Sequence, residues 1–162
     1  MEFEEIFTRL GELSIDYEKI EHAPVYTCEE ADRIAGHERV GKTKNLFLRN
    51  KKGNQHYLVI LSSQDQVSLG RLAGELGEDK LSFASEARLT RFLRQKPGCV
   101  SPLGLVFDKE KHVRVLIQEK VLAGEKLSFH PNLNTVSLIM SCHDLKKYLD
   151  SVTDSWKLLS EV

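Results

Sequence analysis

The sequence predicts a mixed α/β fold of the α+β kind, a mixed sheet flanked by helices. Three observations carry this. Strand-like and helix-like stretches alternate irregularly along the chain. Apolar runs are joined by short polar turns, as in hairpins. Several amphipathic segments open on Ser or Thr and close on Gly, as capped helices do. A doubly wound parallel sheet would instead need regular strand–helix alternation.

The clearest element is a hairpin. Lys44 to Asn50 and His56 to Leu61 flank the polar turn Lys51-Lys52-Gly53-Asn54, whose glycine can take the positive φ that such turns need. The second run is apolar throughout, as expected of a strand covered on both faces. Period-2 alternation places Lys44, Leu46 and Leu48 on one face of the first strand, and Asn45, Phe47 and Arg49 on the other.

The remaining elements follow in order. Residues 2–13 carry Phe3, Ile6, Phe7, Leu10 and Leu13 at helical spacing. Tyr17 to His22 reads as a short strand ended by Ala23-Pro24. Thr27 and Glu30 form a capping box for a helix with Ala31, Ile34 and Ala35, stopped at Gly36. Leu69, Leu72, Ala73 and Leu76 mark a helix closed by Gly77, Lys80 to Ala84 a strand, and Ser85 the cap of a helix bearing Leu89, Phe92 and Leu93. Pro97 to Pro102 is a loop by composition. Leu103 to Phe107 and Val113 to Gln118 read as a second hairpin, and Thr135 to Met140 as a strand. Ser141 with Asp144 opens a final helix, and Trp156 lies in a tail expected to pack on the body.

Composition bounds the function. The chain has 162 residues, 41% of them apolar and 29% charged, which suits a single globular domain over residues 1–162. A net charge of −1 gives no whole-chain basic field, so any nucleic-acid contact must be local. The acidic start Met1-Glu2-Phe3-Glu4-Glu5 lacks a signal-peptide layout, and no apolar run approaches the ~20 residues that span a bilayer. Cys28, Cys99 and Cys142 are widely spaced without a Cys-x-x-Cys pair, which suggests reduced thiols in a cytoplasm, with neither disulfide framework nor zinc site. No phosphate-binding loop, dinucleotide fingerprint, zinc-protease motif or nucleophile elbow is present.

Three clusters can carry chemistry. In Gly98-Cys99-Val100-Ser101-Pro102, the glycine lets backbone approach a ligand, and successive N–H groups can aim at a carbonyl or oxyanion. Cys99 has no base supplied to it by any sequence feature. His130-Pro131-Asn132-Leu133-Asn134 offers donors and acceptors without fixed charge, suited to a ribose hydroxyl or an ester. Arg33, Arg39, Lys42, Lys44, Arg49, Lys51 and Lys52 would suit phosphates if several line one mouth. His22, His37, His56, His112 and His143 show no ligand spacing and read as surface or structural.

These pieces together resemble the YbaK/prolyl-tRNA-synthetase editing-domain superfamily, and within it the free-standing prolyl-tRNA editing proteins (the PrdX-type, alanyl-tRNA(Pro) deacylase branch). The resemblance rests on His22-Ala23-Pro24-Val25-Tyr26-Thr27 with Glu29-Glu30-Ala31, on Lys44 to Arg49, on Pro97 to Gly104, and on Phe129-His130-Pro131-Asn132 with Asn134-Thr135. It runs from about residue 17 to 150. It implies a partly barrel-like sheet and hydrolysis of a wrong amino acid, alanine first, from tRNA(Pro). It implies that the attacking water is assisted by the tRNA's own terminal ribose hydroxyl, with no metal or other cofactor. It implies that Lys44 is functionally central, that Gly98 to Pro102 form the Gly-x-x-x-Pro loop, and that His130 stands in the substrate pocket. Val25, Tyr26, Thr27, Asn45, Leu46, Phe47, Cys99, Val100, Ser101, Pro102, Asn132 and Asn134 are the expected substrate contacts. Cys99 departs mildly from the small or hydroxyl residues common at its position. The expected partners are the acceptor end of tRNA(Pro) and prolyl-tRNA synthetase, without membrane. The alternatives are a Cys-tRNA(Pro) deacylase and a non-catalytic aminoacyl-tRNA-binding protein linked to proline metabolism.

Overall fold

The computed structural model describes residues 3–24 and 40–159. Helix α1 (Glu4–Glu12) and strand β1 (Glu18–Glu21) precede the hairpin of β2 (Thr43–Asn50) and β3 (His56–Ser62). Next come α2 (Leu69–Leu76), β4 (Leu81–Phe83) and α3 (Glu86–Leu93). A 3-10 helix (Pro102–Phe107), β5 (Val113–Gln118), a second 3-10 helix (Glu119–Ala123), β6 (Lys126–Phe129) and β7 (Val136–Ser141) follow, then α4 (Cys142–Val152) and β8 (Trp156–Leu159).

The fold is mixed α/β, as the sequence predicts. Five strands lie in the order β4-β2-β3-β5-β8 and three in the order β1-β7-β6. β2 is antiparallel to β3 and β4, whereas β3–β5 and β5–β8 are parallel. The expected barrel-like character reduces to two open sheets that touch at the isolated bridge between Gly41 and Leu127. A Cβ on Gly41 would lie 3.0 Å from the Leu127 side chain and 3.2 Å from the Lys126 carbonyl oxygen, so the glycine lets the sheets meet.

The larger core lies between the sheets. Phe47, Leu58 and Ile60 from β2 and β3 meet Leu127, Phe129, Leu138 and Met140 from the other sheet, closed by α1, α3 and α4. The opposite face of the five-stranded sheet buries Leu48, Tyr57, Val59 and Leu61 under Leu72 and Ala73 of α2. β3 is therefore apolar on both faces because both faces are covered. The caps at Ser85 and Ser141 form as expected and Ser68 adds a third: each accepts a bond from an amide three residues on. Gly77 closes α2 at φ +71°, in the left-handed region that glycine enters freely.

Two expectations are corrected. Leu103 to Phe107 is not a strand but part of the 3-10 helix, with Pro102 in its first turn and the Ser101 hydroxyl accepting from the Leu103 amide. A short apolar run does not distinguish the two by periodicity. The tail is itself a strand, β8, parallel to β5, with the Trp156 indole N–H donating to Asp150 at 2.9 Å. The capping box at Thr27 and Glu30 and its helix lie outside the described residues.

Candidate active site

At the open end of the β2–β3 hairpin, β2 approaches the Gly98–Pro102 loop. Asn45 lies on the core face of β2, and its Nδ2 donates to the Val100 carbonyl at 3.0 Å. Its Oδ1 is buried and accepts no hydrogen bond among the described residues. Such an acceptor costs about 1–3 kcal/mol when nothing meets it. Lys44, one residue earlier, points to the other face of the sheet, with Leu46 and Leu48, as alternation requires. The strand end thus carries a carboxamide on one side and an ammonium on the other.

The loop has a defined build. Pro97 and Gly98 occupy the centre of a turn in which the Cys99 amide donates to the Lys96 carbonyl at 2.9 Å. Gly98 has φ +88°, so the turn has the proline-then-glycine layout of type II. The Ser101 amide donates to Gln95 Oε1 at 3.2 Å. The Cys99 and Ser101 amides are therefore used inside the loop, and an amide that meets a ligand there must be that of Gly98 or Val100. Cys99 is buried, and burial pushes its thiol up, which disfavours the thiolate a nucleophile requires.

A residue that sequence reasoning missed holds the loop. Gln95 is 1% exposed. Its Nε2 donates to the Ser101 carbonyl at 3.0 Å and to Asn132 Oδ1 at 2.8 Å. Asn132 in turn donates to the Arg94 carbonyl at 3.0 Å, at the end of α3. Its carboxamide, expected to meet substrate, is engaged as a brace between Gln95 and the end of α3. Ser101 Oγ donates to the His130 carbonyl at 2.8 Å, so one buried network ties the loop to the His130 segment. Gly104 completes it: a Cβ there would collide with the Gln95 carboxamide and lie 2.8 Å from the Leu93 carbonyl oxygen. The only sequence signal was a polar amide between a helix and a Pro-Gly turn.

His130 Nδ1 lies 2.8 Å from the Val136 carbonyl. A carbonyl only accepts, so Nδ1 carries a proton and donates it to that bond. His22, read from sequence as surface or structural, belongs to this wall. Its ring centroid is 5.7 Å from that of His130. His22 Nδ1 donates to the Ala23 carbonyl, and Nε2 accepts from the buried Ser137 hydroxyl, each at 2.8 Å.

The other expected contacts divide. Phe47 is buried in the core, stacked on His56 at 5.6 Å, below Asn45 on the same face. Leu46 packs on the opposite face with the α2 cluster and does not face the loop. Pro102 is buried as the first residue of the 3-10 helix, and Asn134 is half-buried just before β7. Val25, Tyr26 and Thr27 lie outside the described residues, as do Arg33 and Arg39. The basic set is not one patch. Lys42 and Lys44 stand at the open end, whereas Lys51 and Lys52 lie at the turn, about 23 Å away along an extended strand. Arg49 is engaged by the Asn50 and Lys51 carbonyls at the turn.

Among the described residues no group of His, Cys, Asp or Glu is placed to hold a metal ion. No helix among them is long and apolar enough to cross a membrane.

Residues 22–148 match the model of the aminoacyl-tRNA editing domain. The chain belongs to that family. Its activity class is accordingly that of an aminoacyl-tRNA deacylase. It is 38% identical over 154 residues to the prolyl-tRNA editing protein ProX of Acetoanaerobium sticklandii, covering 95% of this chain and 94% of that protein. It is 35% identical to the mouse (Mus musculus) prolyl-tRNA synthetase associated domain-containing protein 1, covering 86% and 85%. A solved structure of a proposed trans-editing enzyme for prolyl-tRNA synthetase superposes with TM-score 0.76 at 16% identity, over 99% of this chain and 96% of that one. This last likeness concerns the fold alone.

Proposed function

We propose that this editing domain acts in trans on mischarged tRNA(Pro) and removes alanine from it. The observation that carries the reading is the buried, unpartnered Oδ1 of Asn45 beside the Gly98–Pro102 loop. An aminoacyl ester presents an α-ammonium next to its carbonyl. A buried neutral acceptor suits that ammonium, and a loop amide of Gly98 or Val100 suits the carbonyl oxygen as it gains negative charge. Support also comes from the relatedness to ProX, named as a prolyl-tRNA editing protein.

The ester is already activated, so catalysis needs placement more than a strong nucleophile. Water attacks the carbonyl carbon, the ester C–O bond breaks, and the terminal ribose oxygen leaves with a proton. The neighbouring ribose hydroxyl orients the water. His130, its ring held by the Val136 carbonyl, lines the pocket and helps to orient the substrate. Lys44, across the strand edge, meets the phosphate of the terminal nucleotide.

Alanine follows from the limits of binding selectivity. A synthetase site rejects a smaller amino acid by only ~1–3 kcal/mol per missing methylene, and a second, smaller site restores accuracy. Cys99 and Val100 are candidate walls of that small site.

The test is release of labelled alanine from Ala-tRNA(Pro), with Pro-tRNA(Pro), Cys-tRNA(Pro) and the Lys44→Ala variant alongside. The expected result is rapid release of alanine only, slowed about 100-fold or more in the variant, with thermal stability nearly unchanged because a strand-end lysine contributes little to folding. Preferential release of cysteine would reassign the substrate. Release from none, with retained RNA binding, would make the protein a binding module. Normal turnover by Lys44→Ala would remove Lys44 from the mechanism.

A further inference from the structure

We infer that Lys120 is a second phosphate contact for the single-stranded acceptor end, following Lys44 along the edge of the five-stranded sheet. The inference rests on the tRNA reading above and extends it to a residue outside the site.

Lys44 in β2 pairs with Leu61 in β3. Ile60 pairs with Ile117 in β5, so one step further along both strands brings Leu61 beside Gln118. Lys44, Leu61 and Gln118 therefore form a row across three strands, on one face and at one end. Gln118 is 5% exposed. Its Oε1 accepts from the Ser62 amide at 2.9 Å, and its Nε2 donates to Asp65. Asp65 also receives the Lys120 ammonium. Its carboxyl is held below the usual carboxylate range first by that lysine, then by Gln118, and the charge of Lys44 adds to the effect.

An ordinary exposed ion pair is loosely held and weak. This one is anchored from a buried strand end, which fixes where the Lys120 ammonium stands. An ammonium has three N–H donors, and Asp65 does not exhaust them. The Lys120 side chain is 55% exposed, so its remaining donors face solvent. Lys120 pairs with Asp65 while Lys44 acts on that carboxylate only through its charge, so two ammonium groups face one carboxylate charge along the row. Lys44 and Gln118 are two strand spacings apart, about 10 Å. With Asn45 on the other side of the same strand end, a chain whose ester lies by Asn45 turns over the β2 edge, meets Lys44 and continues to Lys120.

The test is binding of an uncharged acceptor-stem RNA hairpin ending in unpaired CCA, by fluorescence anisotropy across a salt series. For wild type, affinity should fall linearly with log salt. Lys120→Ala and Lys120→Gln should each weaken binding severalfold and lower the magnitude of the log–log slope by about 0.7, the value of one single-strand phosphate contact. Lys44→Ala should lower it by a similar amount, the double variant by about 1.4, and Lys120→Arg should keep the wild-type slope. An unchanged slope in both Lys120 variants, or no wild-type binding at low salt, would overturn the inference. Because the readout is RNA binding, it is judged separately from the deacylation assay. Slopes as stated without alanine release would sink the deacylase reading and leave the track standing.

Discussion

The two ends of the β2–β3 hairpin hold similar residues in opposite states. At the turn, Asn50 is 7% exposed and fully engaged. Its Oδ1 accepts from the Asn54 and Gln55 amides at 3.1 and 3.2 Å, and its Nδ2 donates to Asn54 at 2.7 Å. Arg88 donates to the Gly53 carbonyl and to His56 Nε2, each at 2.9 Å. At the open end, Asn45 has one end engaged and a buried oxygen left over. A satisfied asparagine at a turn is explained by folding alone. An unsatisfied one beside a braced loop has a cost that folding does not recover and that, on the proposed reading, the substrate's ammonium does.

Exchanging each asparagine separates these roles. Asn45→Ala should lower deacylation by about 10- to 100-fold, the range of one or two charge-assisted hydrogen bonds, while its melting temperature moves by only a few degrees. Steady-state kinetics and a thermal melt on the same sample check this, and intact activity would remove Asn45 from the site.

His56 sharpens the contrast from the folding side. Its pKa is lowered to about 4, by burial first and then by Arg88, Arg49, Arg91 and His112. Arg88 donating to Nε2 likewise demands a neutral ring. The folded state therefore binds fewer protons than the unfolded chain below pH ~6.5. Stability should be full above that pH and fall as pH drops from 6.5 towards 4, by up to ~3 kcal/mol. Urea unfolding at several pH values reads it, and His56→Gln should flatten the slope. A third variant, Asn50→Ala, should cost about 2 kcal/mol of stability through its stranded turn amides. It should leave alanine release per folded molecule unchanged, because Asn50 lies at the far end of the strand.

The difference between the ends also marks what sequence could reveal. The hairpin, its two-sided burial and the serine caps were legible because their signals are local: alternation, a glycine in the turn, a hydroxyl before an apolar stripe. The opposite orientations of Lys44 and Asn45 followed from the period of two. Gln95 was not legible, because its work is done on Ser101 and Asn132, which reach it only through the tertiary fold. The 3-10 helix was mistaken for a strand because Leu103 to Phe107 is short and uniformly apolar. β8 was missed because a parallel pairing to β5 leaves no trace in nearby residues. The basic set failed as one patch because a strand carries its two ends far apart.

The brace beneath the loop also sets what can vary. Gln95, Ser101 and Gly104 fit one another so closely that changing any of them disturbs the others. Cys99 and Val100 take no part in that side-chain network. Their side chains can be exchanged while the path of the backbone is kept. On the proposed reading, in which Cys99 and Val100 wall the small site, a lineage or an engineer can therefore retune which amino acid is admitted without rebuilding the scaffold, and those two positions become the adjustable gauge of an otherwise fixed instrument.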